Sequence, residues 1–135
     1  MTKGTIYHLV TESAFRAQAK GDEYIPVRFD QDGFIHCTGE ANTLLVVAND
    51  YFSSVEEPVL VLAIETTRLT AEVRFEPPAP VAGSGASHLE EAQLFPHIYG
   101  PLNLDAVTEI GVLRKNDGAY QWPDLFTTPK EWRSR

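Results

Sequence analysis

The sequence predicts a single α+β domain, built of small mixed or antiparallel β-sheets with two main helices. Three observations predict it. Short β-prone runs recur between turn signals, one segment repeats apolar residues at helical spacing, and one run is apolar on both faces, as a central strand is. A chain of 135 residues is one domain by size, and no linker, repeat or low-complexity tract divides residues 1–135.

The elements follow in order. Ile6-Tyr7-His8-Leu9-Val10 is a β-prone run that stops at Thr11, a good helix N-cap. Residues 12–20 favour helix, with Ala14, Phe15, Ala17 and Ala19 among polar neighbours, and Gly21 closes it. Glu23-Tyr24-Ile25 predicts a brief strand that Pro26 interrupts, Asp32-Gly33 signals a turn, and residues 34–37 form a third strand. Ala41, Leu44, Leu45, Ala48 and Phe52 then recur at three- and four-residue spacing, which predicts the second helix. Val47 and Tyr51 widen its apolar stripe.

Pro58 precedes Val59-Leu60-Val61-Leu62-Ala63-Ile64, the central buried strand. Residues 73–76 make a shorter strand that Pro77-Pro78 ends, and residues 77–88, rich in Pro, Gly, Ala and Ser, form a long loop of the kind that often serves function. His97-Ile98-Tyr99 reads as a strand, residues 107–113 as the last one, and Asn116-Asp117-Gly118 as a turn. The tail around Trp122 and Trp132 is expected to pack on the body.

Composition narrows the function. With 19 acids against 11 bases the formal charge is −8, which disfavours nucleic acid and anionic lipid surfaces. One cysteine, Cys37, excludes an internal disulfide and fits a reducing compartment. No signal peptide and no stretch of about 18 apolar residues is present, so a soluble cytoplasmic protein with no membrane partner is expected, monomeric or a weak homo-oligomer.

Of four histidines, His8, His36 and His97 lie inside predicted strands. Alternation puts Ile6, His8 and Val10 on one face, His36 with Phe34 and Thr38, and His97 with Tyr99. If those faces converge, the three histidines form one polar pocket. A lone strand histidine is ordinarily a surface or satisfied core group, and that bland reading stands beside this one. Metal is not expected: ligand-type residues are present, His88-Leu89-Glu90-Glu91 among them, without a diagnostic spacing. Cys37 faces away from neighbouring His36 and reads as a small buried thiol. Arg74 and Glu76 share a face and either bind an anion, act as acid and base, or form a solvated ion pair.

Tyr7-His8, Gly33-Phe34-Ile35-His36-Cys37-Thr38, Arg74-Phe75-Glu76, and Phe95-Pro96-His97-Ile98-Tyr99-Gly100-Pro101-Leu102 with Asp105 resemble the bacterial domain of unknown function 952. The resemblance covers a core of about 6–113, leaving 114–135 as a C-terminal extension. It implies an ADP-ribosyltransferase-like fold. In that superfamily an aromatic-His pair on the first strand holds the ribose of NAD, so the resemblance gives His8 that role beside Tyr7. The strand beginning at His97 resembles the one that normally opens with the catalytic Glu, and here it opens with His.

The implied site therefore has His8, His36 and His97 as catalytic residues, with Tyr7, Thr38, Arg74, Glu76 and Tyr99 binding the ligand. The implied activity is that of a degenerate ADP-ribosyl transferase or hydrolase, with NAD or an ADP-ribose-like nucleotide as substrate and no metal. Two alternatives stay open on the residues: a non-catalytic module for a nucleotide or small anion, and a His-metal hydrolase.

Overall fold

The computed structural model describes residues 4–77 and 94–133. Its elements are β1 (Thr5–Thr11), α1 (Glu12–Gln18), β2 (Ala19–Lys20), β3 (Glu23–Tyr24), α2 (Phe29–Asp32), β4 (Ile35–His36), α3 (Ala41–Tyr51), β5 (Val59–Glu65), β6 (Glu72–Glu76), β7 (Phe95–Tyr99), β8 (Leu102–Asn103), β9 (Val107–Asn116), β10 (Ala119–Gln121), β11 (Phe126–Thr127) and α4 (Pro129–Arg133). The fold is α+β, with α1 and α3 as its two main helices, and every strand pairing among the described residues is antiparallel.

The main sheet runs β1-β5-β9-β10, with β11 also on β9. β5 is central, and its apolar run explains why. Leu60, Leu62 and Ile64 enter one core with Ile6, Val10, Ile110, Ile35 and Ile98, while Val59 and Val61 enter another with Leu44, Ala48 and Tyr120. The helical stripe of α3 thus covers one face of the sheet. The small sheet β4-β7-β6 covers the other, burying the row Ile35–Ile98–Val73. Strand alternation then turns the neighbouring row, His36–His97–Arg74, to the opposite face of that small sheet.

Several boundaries differ from expectation, each for a local reason. α1 ends at Gln18, because Ala19 and Lys20 leave the helix to pair with Tyr24 and Glu23; Gly21 serves the turn between β2 and β3 at φ +60°. The third strand keeps only Ile35–His36 of residues 34–37. Ahead of it, the Asp32-Gly33 turn is the end of a short helix, α2, capped by Gly33 at φ +81°. β7 begins at Phe95 and runs through Pro96, whose carbonyl accepts from the Cys37 N–H at 3.1 Å but which, lacking an N–H, returns no bond to β4 there. β9 extends to Asn116 because β10 pairs with its far end. The expected loop at 77–88, beyond Pro77, and His88 with it, lie outside the described residues.

The tail packs on the body. Trp132 is buried with its ring edge-on to Phe15 at 5.3 Å, and Trp122 meets Tyr7 edge-on at 5.2 Å.

Candidate binding cleft

The site begins where two strands part. Tyr7 and Thr38 exchange N–H···O bonds of 2.8 Å in each direction, the single bridge between β1 and the β4 segment. In an antiparallel pair, alternate residues aim both backbone groups to the same side. Leu9, two residues past Tyr7, therefore also aims away from β5. On the other strand Cys37 N–H donates to Pro96, so His36 and Thr38 aim toward β1. A continued ladder would join Leu9 to His36. Instead the His8 ring supplies the donor to the His36 carbonyl, at 2.6 Å, and the strands separate. The N–H and C=O of Leu9 and the N–H of His36 have no hydrogen-bond partner among the described residues.

His8 is held at both nitrogens. Since a carbonyl only accepts, the proton sits on Nδ1, leaving Nε2 to accept from the Tyr24 hydroxyl at 3.0 Å. Burial pushes its pKa down from 6.5 to about 4, against the raising effect of the bond to His36. It is a neutral imidazole of fixed tautomer. The donor expected for a ribose hydroxyl is thus already given to His36, so His8 would have to release that carbonyl to serve a ligand.

His36 and His97 form register partners on β4 and β7, and each is backed by a carboxylate. Asp32 Oδ2 accepts from His36 Nε2 at 2.9 Å, and Glu76 Oε1 accepts from His97 Nδ1 at 2.7 Å. The other nitrogen of each ring, His36 Nδ1 and His97 Nε2, has no hydrogen-bond partner among the described residues. The rings meet edge-on with centroids 5.7 Å apart, and Phe34 stacks on His97 at 4.0 Å. Burial lowers the pKa of His97, although Glu76 opposes that shift. Glu76 is held below the usual carboxylate range by the Tyr99 hydroxyl and then by His97.

A cleft of about 530 Å³ runs along the free edge of β1. Tyr7, His8, His36, Thr38 and His97 all line it, so five of the expected site residues converge. Arg74, Glu76 and Tyr99 do not line it. Arg74 is bound by Glu72 through two bonds of 3.0 and 3.2 Å and lies over the Tyr99 ring, while Glu76 turns to His97 and Tyr99. Arg74 and Glu76, which share a face, thus take separate partners: Glu72 holds Arg74, and Glu76 supports His97 from behind.

Three positions that line the cleft were missed by sequence reasoning: Arg28, Asp32 and Leu9. The first two are four residues apart, as are Asp32 and His36, but the second interval crosses from helix to strand and has no periodicity to mark it. Cys37 is buried, and desolvation raises its thiol pKa, so it is protonated and unreactive at neutral pH. The Thr38 hydroxyl is buried with no partner among the described residues. No group of three His, Cys, Asp or Glu is placed to hold a metal ion among the described residues. Among them, too, no helix is long and apolar enough to cross a membrane.

These features define an α+β protein in which two sheets part around a cleft, with carboxylate-held histidines on one wall. The chain belongs to the family described as protein of unknown function (DUF952), whose model matches residues 9–110. Among solved structures it resembles protein CC0527 from Caulobacter crescentus, seen in two crystal structures, one of them of a double mutant. Each shares 22% identity at a TM-score of 0.69, covering 87% of this chain and 94% of the other. No functionally described curated protein matches.

Proposed function

We propose that the cleft binds NAD or an ADP-ribose-like relative and acts at its glycosidic carbon, in a fold of the ADP-ribosyltransferase-like kind. The observation that carries this reading is the parting of β1 from β4. Leu9 offers an N–H and a C=O toward the cleft, the pair by which a neighbouring strand would be recognised. A carboxamide is complementary to that pair, since its carbonyl accepts and its NH2 donates. Tyr7, Phe34, Tyr51 and Phe52 supply aromatic surface for the flat ring that would carry it, and the volume falls within the ordinary range of ligand sites. Nicotinamide is a ring of that description.

Transfer or hydrolysis at the glycosidic carbon breaks the bond to the nicotinamide nitrogen and forms one to an acceptor oxygen. It needs a group to take the acceptor's proton and negative charge near the developing oxocarbenium ion. His97 stands where the resemblance has a glutamate. As a neutral ring with Nε2 bare, it accepts the acceptor's proton, while Glu76 keeps the net charge of the pair at minus one. The dyad supports the role of a carboxylate acting through an imidazole. His36, held by Asp32, stands beside it to orient the acceptor.

The test is a thermal melt with NAD, ADP-ribose and nicotinamide at millimolar concentration, together with an assay of nicotinamide release from NAD. A ligand at 100 times its dissociation constant stabilises by about 2.7 kcal/mol. This reading expects that shift and a release that His97→Ala abolishes. A shift without release favours a non-catalytic nucleotide module. No shift with any of the three ends the nucleotide reading.

A further inference from the structure

We infer that Arg28 anchors a phosphate-type anion in the cleft, so that the ligand joins its flat amide-bearing ring to such a group. The inference rests on the cleft being the ligand site proposed above, and it names the class of ligand more narrowly.

Charge at the cleft makes the case. Of the residues that line it among those described, Arg28 is the sole lysine or arginine and Asp32 the sole carboxylate. His8 and His97 are held neutral by burial. The chain carries −8 overall, so an anion approaching the protein meets repulsion unless a local cation offsets it. Arg28 is therefore the lysine or arginine that an anionic ligand in this cleft meets.

Arg28 is also uncommitted. Its side chain is 57% exposed, and its one ion pair among the described residues, Nη2 to Asp32 Oδ1, spans 3.7 Å, beyond hydrogen-bonding distance. A guanidinium has five N–H donors in a planar fork suited to two phosphate oxygens at once. By contrast Arg74 is engaged by Glu72 through two hydrogen bonds and lies outside the cleft. Position adds to availability. Arg28 and His36 approach opposite oxygens of the Asp32 carboxylate, Oδ1 and Oδ2. An anion held by Arg28 thus lies one carboxylate away from His36. Drawing the guanidinium to the ligand leaves Asp32 to His36 alone, which couples anion binding to the orientation of that ring.

The experiment is a calorimetric titration of NAD, ADP-ribose and uncharged nicotinamide into the wild-type protein and Arg28→Gln, at low and high salt. We expect Arg28→Gln to weaken NAD and ADP-ribose by about tenfold or more while nicotinamide binds as before. The salt dependence of NAD binding should flatten in the variant, and Arg28→Lys should restore part of the affinity. Equal affinity of NAD for both proteins, with nicotinamide still bound, overturns the anchor and leaves the cleft reading intact. Failure of all three to bind the wild type overturns the cleft reading, and the anchor with it.

Discussion

His8 and His36 are joined through ring and backbone: His8 Nδ1 donates to the His36 carbonyl at 2.6 Å, in the place a Leu9 N–H would occupy in a continuous ladder. One side chain thereby ends the pairing of two strands and opens the cleft between them. Replacing it should show both effects. His8→Ala leaves the His36 carbonyl and the Tyr24 hydroxyl without partners and removes a buried ring, a loss of about 2–4 kcal/mol. Urea unfolding measures it as a lower midpoint at unchanged slope. In the wild type, the amides of Leu9 and His36 should exchange with solvent faster than those of Tyr7 and Thr38, which are bonded across the bridge. Equal protection of all four would mean that the strands do not part.

The same residue makes stability depend on pH. Folded His8 takes a proton only near pH 4, whereas the unfolded chain takes one near 6.5. Between those values the unfolded state holds more protons. Stability that is fully present above pH 6.5 is therefore lost as the pH falls toward 4. The difference corresponds to about 3 kcal/mol at most, and His97, shifted in the same direction by burial, adds to it. Urea midpoints at pH 7 and pH 4.5 should differ clearly in the wild type and much less in His8→Ala. A flat wild-type profile across this window would contradict the assignment.

What the sequence could reveal depended on whether a signal was periodic or local. Leu44, Ala48 and the run from Val59 to Ile64 repeat over many residues, so α3 and β5 were legible. The pairing of Thr11 with Ala14 N–H was legible for a local reason, since a cap is a local bond. Alternation placed Ile6, His8 and Val10 on one buried face, and it placed His36 beside Phe34. The short helix Phe29–Asp32 offers four residues and no period, so nothing marked it, and Arg28 and Asp32 went unseen with it. The strand Ala19–Lys20 is made by its partner rather than by its own propensity. The partner of Arg74 was likewise undecidable from spacing, because Glu72 and Glu76 flank it symmetrically on the same face.

Glu76 should control where the proton sits on His97. Its carboxylate accepts from Nδ1, which leaves Nε2 bare toward the cleft. In Glu76→Gln the side-chain amide can donate to Nδ1 instead, and the proton then moves to Nε2. Nitrogen-correlated NMR of the His97 ring reads that change of tautomer directly, in a way that a merely structural role would not alter. If the dyad acts as the base proposed above, nicotinamide release should fall by about a hundredfold or more in the variant. Tyr99→Phe, which removes only one bond to Glu76, should leave the tautomer in place. An unchanged His97 spectrum in Glu76→Gln would show that the carboxylate does not hold the ring.

Thr38 separates a ligand role from a structural one. Its backbone makes the bridge to Tyr7, while its hydroxyl is buried without a partner among the described residues at the cleft wall. An unbonded buried hydroxyl detracts from stability, and a methyl in its place does not. Thr38→Val keeps the backbone bonds and the branched shape, so the protein should be as stable as the wild type or more so by up to about 1 kcal/mol. If the hydroxyl is kept for the ligand, the same variant should bind NAD more weakly despite its sound fold. A marked loss of stability in Thr38→Val would instead reveal a hydroxyl bond within the fold, and would remove Thr38 from the list of ligand contacts.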